Sequence, residues 1–147
     1  MNTNRLLLTL AMALCLAFSN MMPLQAGKGT DLKVNYVLQN IGVKRDVQAK
    51  LKPLLISYLA EKKEANKAYD DLKAKLKTSI NNGTLTEKQA QALLNAKWNA
   101  AEKELAVKRK YEIKFNTVLS IKKTYFCFSL LNDKKSKMQG KDDDYDD

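Results

Sequence analysis

The sequence predicts an all-α protein: an elongated four-helix protomer built on a long antiparallel helical hairpin, dimerising with a second copy of itself. Three observations lead there. Apolar residues recur at steps of three and four over two long stretches, the spacing of amphipathic helices and not of strands. Glycine and proline are scarce, 5 and 2 in 147 residues, and most stand where helices stop or start. Helix-starting chemistry occurs at Thr86, with Gln89 three residues on, and at Ser120.

Taken in order, the first segment is a targeting signal. A polar, basic opening ends at Arg5, an apolar run covers Leu6 to Phe18, and Pro23 precedes Leu24-Gln25-Ala26. This is the layout of a secretory signal peptide over 1–26, with cleavage after Ala26. The apolar run falls short of the roughly 20 residues that span a bilayer. Leu14 before Cys15, with the apolar run continuing beyond, does not suit lipoprotein processing. Residues 27–140 then form one helical domain with one core.

Gly42 separates a short first helix from a long second one. In the second, Val47, Leu51, Leu54, Tyr58, Ala65, Tyr69, Leu72, Leu76 and Ile80 make one stripe, and Pro53 marks a kink or a restart. Such a helix would exceed about 50 Å at 1.5 Å per residue. Asn81-Asn82-Gly83 is the hairpin turn. The third helix opens on a capping box, Thr86 with Gln89, with Leu85 and Ala90 placed as a hydrophobic staple. Leu94, Trp98, Ala101, Leu105, Phe115 and Leu119 form its apolar face, widened by Leu93, Val107, Tyr111 and Val118. A fourth helix starts at Ser120 and runs to about Met138, with Phe126 and Phe128 buried. Residues 141–147 are too charged to bury and make a disordered acidic tail. One hairpin has too little interior for so broad an apolar surface, so the two short helices and a second copy must cover the rest.

Charge and composition limit the chemistry. The net charge is +10 although 141–147 carry one lysine and five aspartates, so the body is strongly basic and attracts anionic partners. For an exported chain these are acidic unfolded proteins, anionic lipid headgroups or lipopolysaccharide, and nucleic acid is not expected. There is no histidine, which removes the usual general base, the usual pH switch and the commonest transition-metal ligand. No Gly-rich loop or carboxylate pair replaces it, so neither catalysis nor a cofactor is expected, and no metal site either. The aspartates of the tail are no preorganised Ca²⁺ site. After cleavage Cys127 is the sole cysteine: a buried structural thiol on the first reading, an intermolecular disulfide on the second.

The candidate binding surface is Lys108, Arg109 and Lys110 with Lys114, interleaved with Tyr111 and Phe115; a solvated helix face is the competing reading. Lys122, Lys123, Lys134, Lys135 and Lys137 form a second basic region, read as solvated. Trp98 is read as core or dimer contact, and Thr86 and Gln89 as capping alone.

The pentad Leu85-Thr86-Glu87-Lys88-Gln89, opening a long basic helix in an exported chain, resembles the LTxxQ signature of the Spy/CpxP family of periplasmic helical proteins. Val43-Lys44-Arg45-Asp46-Val47-Gln48 stands where that family has an earlier copy of the motif, keeping only Gln48 in register. Val118-Leu119-Ser120-Ile121-Lys122-Lys123 is similar to its lead-in to the last helix, with Ile121 in place of a proline, and Leu130 and Leu131 replace acidic residues. The resemblance covers about Asp31 to Met138. It implies an elongated dimer of bent hairpins with a basic, apolar concave face, which binds partly folded proteins without nucleotide. The first functional expectation is therefore an ATP-independent periplasmic chaperone, or holdase. The alternative is an envelope-stress regulator docking on a membrane sensor kinase or anti-sigma protein. A third is a helical protein of the membrane surface or of lipopolysaccharide.

Overall fold

The computed structural model describes residues 27–133. The expected signal segment 1–26, the acidic tail, Lys134, Lys135 and Lys137 lie outside them, and the fourth helix, expected to run to about Met138, already ends at Asn132, where Asp133 turns extended (ψ 133°). Within the described residues the chain is entirely helical: α1 Lys28–Asn40, α2 Arg45–Lys75, α3 Lys77–Asn81, α4 Glu87–Asn116 and α5 Ile121–Asn132. The long hairpin is α2 against α4. It is antiparallel, since Tyr58 meets Tyr111 and Phe115 while Asn66 meets Glu104.

Each element ends for a local reason. α1 gives way at Gly42, whose φ of 63° lies in the left-handed region that glycine reaches without a Cβ penalty. Lys123, from the far end of the chain, donates to the carbonyls of Ile41 at 2.6 Å and Gly42 at 3.1 Å, placing a cation on the negative end of α1. Lys123 is therefore a structural residue and not a solvated one. The Gln48 side-chain amide donates to the Leu38 and Val43 carbonyls, at 3.3 and 3.2 Å, and binds the α1–α2 connection to α2. Gln48 is no cap, in contrast to the role its place in the motif implies: the helix opens at Lys44 without a side-chain cap, one residue too early for Gln48 to occupy the third position.

Pro53 neither kinks α2 into two helices nor restarts it. The helix runs unbroken from Arg45 to Lys75, with Pro53 and Ala49, whose carbonyl loses its partner, both exposed to water. The break comes later, at Leu76 (φ −97°, ψ 10°), so the expected single helix to Ile80 is α2 plus the short α3. α3 closes in a Schellman motif: Gly83 N–H donates to the Ile80 carbonyl at 3.3 Å and Thr84 N–H to Ser79 at 2.9 Å, with Gly83 at φ 65°. The capping box follows as expected. Thr86 Oγ1 accepts from Gln89 N–H at 3.2 Å and Gln89 Oε1 from Thr86 N–H at 3.0 Å, with Leu85 half-buried beside it. Ser120 caps α5 through the Lys123 amide at 3.3 Å, and Thr124 donates to Asn116 Oδ1 at 2.7 Å, fastening the α4–α5 corner.

The core gathers at one end of the hairpin. Val34, Val37 and Ile41 of α1 and its cap, Leu51, Leu55 and Tyr58 of α2, Tyr111, Phe115 and Leu119 around the end of α4, and Cys127 and Leu131 of α5 are all buried. Toward α3 the hairpin becomes a two-helix arm in which only Ala65 and Ala100 are buried, small residues where the helices approach. The capping box sits at the tip of that arm, away from the core. Thr86→Ala should cost about 1 kcal/mol locally, seen as roughly five-fold faster amide exchange in the first turn of α4 with little change at Phe115.

Candidate interaction surface

The six residues of the expected binding surface do not share one surface, because α4 is gripped on one side by α2. Tyr111 and Phe115 are fully buried and belong to an aromatic cluster with Tyr58 and Phe128, ring centroids 5.5 to 6.0 Å apart. They cannot meet a binding partner without unfolding the core end of the hairpin, the head. Lys110 lies along the same seam, its Nζ 2.8 Å from both oxygens of Glu61 on α2. The Tyr111 hydroxyl donates to that carboxylate as well, at 2.8 Å, and Lys114 Nζ stands 4.8 Å from the Tyr111 ring centroid. Burial raises the Glu61 pKa, and the hydrogen bonds from Lys110 and Tyr111 outweigh it, so the group is held below the usual carboxylate range.

A second knot lies one turn toward the arm. Glu104 accepts from Lys108 at 2.8 Å, Asn66 at 3.1 Å and Lys62 at 3.2 Å. Burial again works against the charge, but these three partners overcome it and lower the Glu104 pKa to about 2. Of the basic residues expected to bind, Lys110 and Lys114 thus serve the hairpin, Lys108 is half-engaged with its guanidinium neighbour outward, and Arg109 stands exposed without an ion pair among the described residues.

The structure exposes an apolar stripe where the sequence predicts core. Leu94, Trp98 and Leu105 are 46, 56 and 50% exposed. With Ala101 they follow steps of four, three and four, so they line one side of α4, and Lys108 and Arg109 continue that side. The inward face is instead Leu93, Ala100, Val107, Tyr111 and Phe115. The expected broad face is therefore two faces about a third of a turn apart. Trp98 is not core in the protomer; Lys97 Nζ sits 5.2 Å from its ring centroid. At the head end the stripe meets α5 in a groove of about 330 Å³ lined by Leu105, Lys108, Arg109, Glu112, Phe128 and Asn132. Phe126 also departs from expectation, 45% exposed beside Tyr125 at 70%, since the inward side of α5 carries Thr124, Cys127, Phe128 and Leu131.

Cys127 is fully buried, and burial pushes its thiol up to about 12, so it stays protonated and out of reach of a partner thiol in the folded head. Among the described residues no group of three or more potential ligands could hold a metal ion, and no helix is long and apolar enough to cross a membrane. Comparison of the chain with protein-family models, with curated proteins and with solved structures finds no match in any of the three.

Proposed function

We propose that this protein is an exported, ATP-independent holdase that captures partly folded envelope proteins on the outer side of α4. The observation that carries this reading is the exposed stripe Leu94, Trp98 and Leu105, running into the basic residues Lys108 and Arg109 on a helix whose other side already completes the core. Three large apolar side chains half in water form an interaction surface, not leftover core. Cations beside them draw in acidic chains, and a row of separate apolar contacts holds exposed hydrophobic segments without requiring one sequence. Export rests on the pattern of residues 1–26, and pairing of two copies that leaves both stripes open is the arrangement that would enlarge the surface.

The test is light scattering of a chemically unfolded, acidic protein diluted into buffer with and without this chain, at low and moderate salt. Suppression of aggregation at near-stoichiometric amounts is expected, reduced several-fold by the pair Trp98→Ser and Leu105→Ser, and weakened by salt as exposed charges are screened. Both positions are exposed, so the variant should keep the fold. No suppression at either salt overturns the reading.

A further inference from the structure

The groove between α4 and α5 lies where the described chain leaves the fold. Asn132, the last residue of α5, lines it together with Lys108, Arg109 and Phe128. The next residue, Asp133, is held by the Tyr36 hydroxyl at 2.7 Å, so the point of departure is fastened to α1 and does not wander. Beyond it, residues 134–147 read Lys-Lys-Ser-Lys-Met-Gln-Gly followed by Lys-Asp-Asp-Asp-Tyr-Asp-Asp. The five aspartates are thus concentrated within six positions that enclose one aromatic, Tyr145.

We infer that this acidic segment, Asp142 to Asp147, docks intramolecularly in the groove, its carboxylates on Arg109 and Lys108 and Tyr145 against the apolar wall of Leu105 and Phe128. The inference rests on the proposed client surface, because the groove is the head end of that surface and docking would cover it. Three arguments select this occupant. The charges are complementary: residues 27–133 hold 21 lysines and arginines against 11 acidic residues, whereas 142–147 hold five aspartates and no cation. The exposed guanidinium of Arg109 offers the planar fork that donates two hydrogen bonds to a carboxylate, while Lys110 is already committed to Glu61 of α2 and Lys114 lies over the Tyr111 ring. The reach suffices: eight residues lie between Asp133 and Asp142, and the nine steps of an extended chain at about 3.3 Å each cover roughly 30 Å from a point beside the groove.

The tether also makes a weak contact enough. A link of only eight residues presents the segment at an effective concentration on the order of 1 mM, so a contact with a Kd of about that value is already half formed. Docking of that strength competes with clients without excluding them. An acidic client displaces the segment by offering more carboxylates and apolar side chains at once, and a basic or compact protein does not. The segment thereby acts as a selectivity filter on the same surface.

The experiment compares backbone amide spectra of the protein, expressed from its full sequence, with those of a variant carrying asparagine at 142, 143, 144, 146 and 147. At about 20 mM salt the amides of Leu105, Lys108, Arg109 and Phe128 should shift between the two, and at about 500 mM salt, where screening is nearly complete, the difference should vanish. Arg109→Glu in the native chain should give the same spectral change in the groove. Unmoved groove amides overturn the inference. So do shifts that depend equally on protein concentration in both forms, since a second copy would then fill the groove. The client assay separates the two claims. If the groove amides shift and the asparagine variant suppresses aggregation at about a two- to ten-fold lower ratio, docking and its filtering role both stand. If the amides shift but neither form suppresses aggregation, docking holds and the holdase reading falls. If both forms suppress equally and the amides do not move, the holdase reading holds and docking falls.

Discussion

Phe115→Ala is expected to destabilise the protein by about 3 to 5 kcal/mol, the range for deleting a fully buried phenylalanine. Phe115 is 0% exposed and touches three elements at once: Tyr58 on α2, Tyr111 on its own helix and Phe128 on α5, with centroids 6.0, 5.9 and 5.5 Å away. The Tyr58 ring meets it edge to face and the other two are tilted, contacts that add to the apolar area buried. α5 is short, 12 residues, and is held by Cys127, Phe128, Leu130 and Leu131, by the Lys123 and Thr124 hydrogen bonds and by the Tyr36–Asp133 bond at its end. The cavity would therefore loosen α5 first. Urea denaturation followed by circular dichroism measures the loss, and a change under about 1 kcal/mol would mean that the aromatic cluster does not hold the head together. Tyr111→Ala would be a less clean test, since it also removes a partner of Glu61.

Acidification is expected to weaken the fold between about pH 4.5 and about pH 2, and Glu104 is the main cause. Its pKa in the folded protein is about 2, against 4.5 for a free glutamate. In that window the unfolded chain binds the proton and the folded one does not, so lowering the pH favours unfolding. The contribution is fully present above pH 4.5 and lost as the pH falls through the folded value. The side chain is 21% exposed and its partners Lys62 and Lys108 are more so, hence screening by solvent reduces the effect to about 1 to 2 kcal/mol. Glu61, also held low by Lys110 and Tyr111, adds in the same direction. Glu104→Gln should lower stability at pH 7 and flatten the acid limb of the profile. A variant with the same pH dependence as the native protein would show that the Lys62–Glu104–Lys108 knot does not bind the hairpin.

Local chemistry was legible because it acts over a few neighbouring residues. The capping box at Thr86 and Gln89, the cap at Ser120 and the turn at Gly83 needed only backbone groups within five positions. Gln48 was misread because its partners, the Leu38 and Val43 carbonyls, lie on the preceding helix and its connection. The binding cluster was misread for a related reason. Lys110, Tyr111 and Lys114 look like a basic, aromatic ligand patch along the chain, but Glu61, some 50 positions away, converts them into the inner seam of a hairpin. A carboxylate at 61 opposite a lysine at 110 was the available signal, and it is readable only once the register of α2 against α4 is known.

The amino-acid sequence by itself determined the helical class, the positions of most breaks and caps, the absence of histidine and the strongly basic body. These follow from period, from backbone-specific residues and from charge, which each residue carries wherever it is placed. Which side of α4 is core was decided only by tertiary structure. That helix has apolar residues on two sides, Leu93, Ala100, Val107, Tyr111 and Phe115 on one and Leu94, Trp98 and Leu105 on the other, and periodicity alone merges them. The choice is made by α2, whose Tyr58 and Glu61 match the side bearing Tyr111, Phe115 and Lys110 in both shape and charge. Burial of the complementary face leaves the other exposed, and with it the stripe on which the proposed function depends.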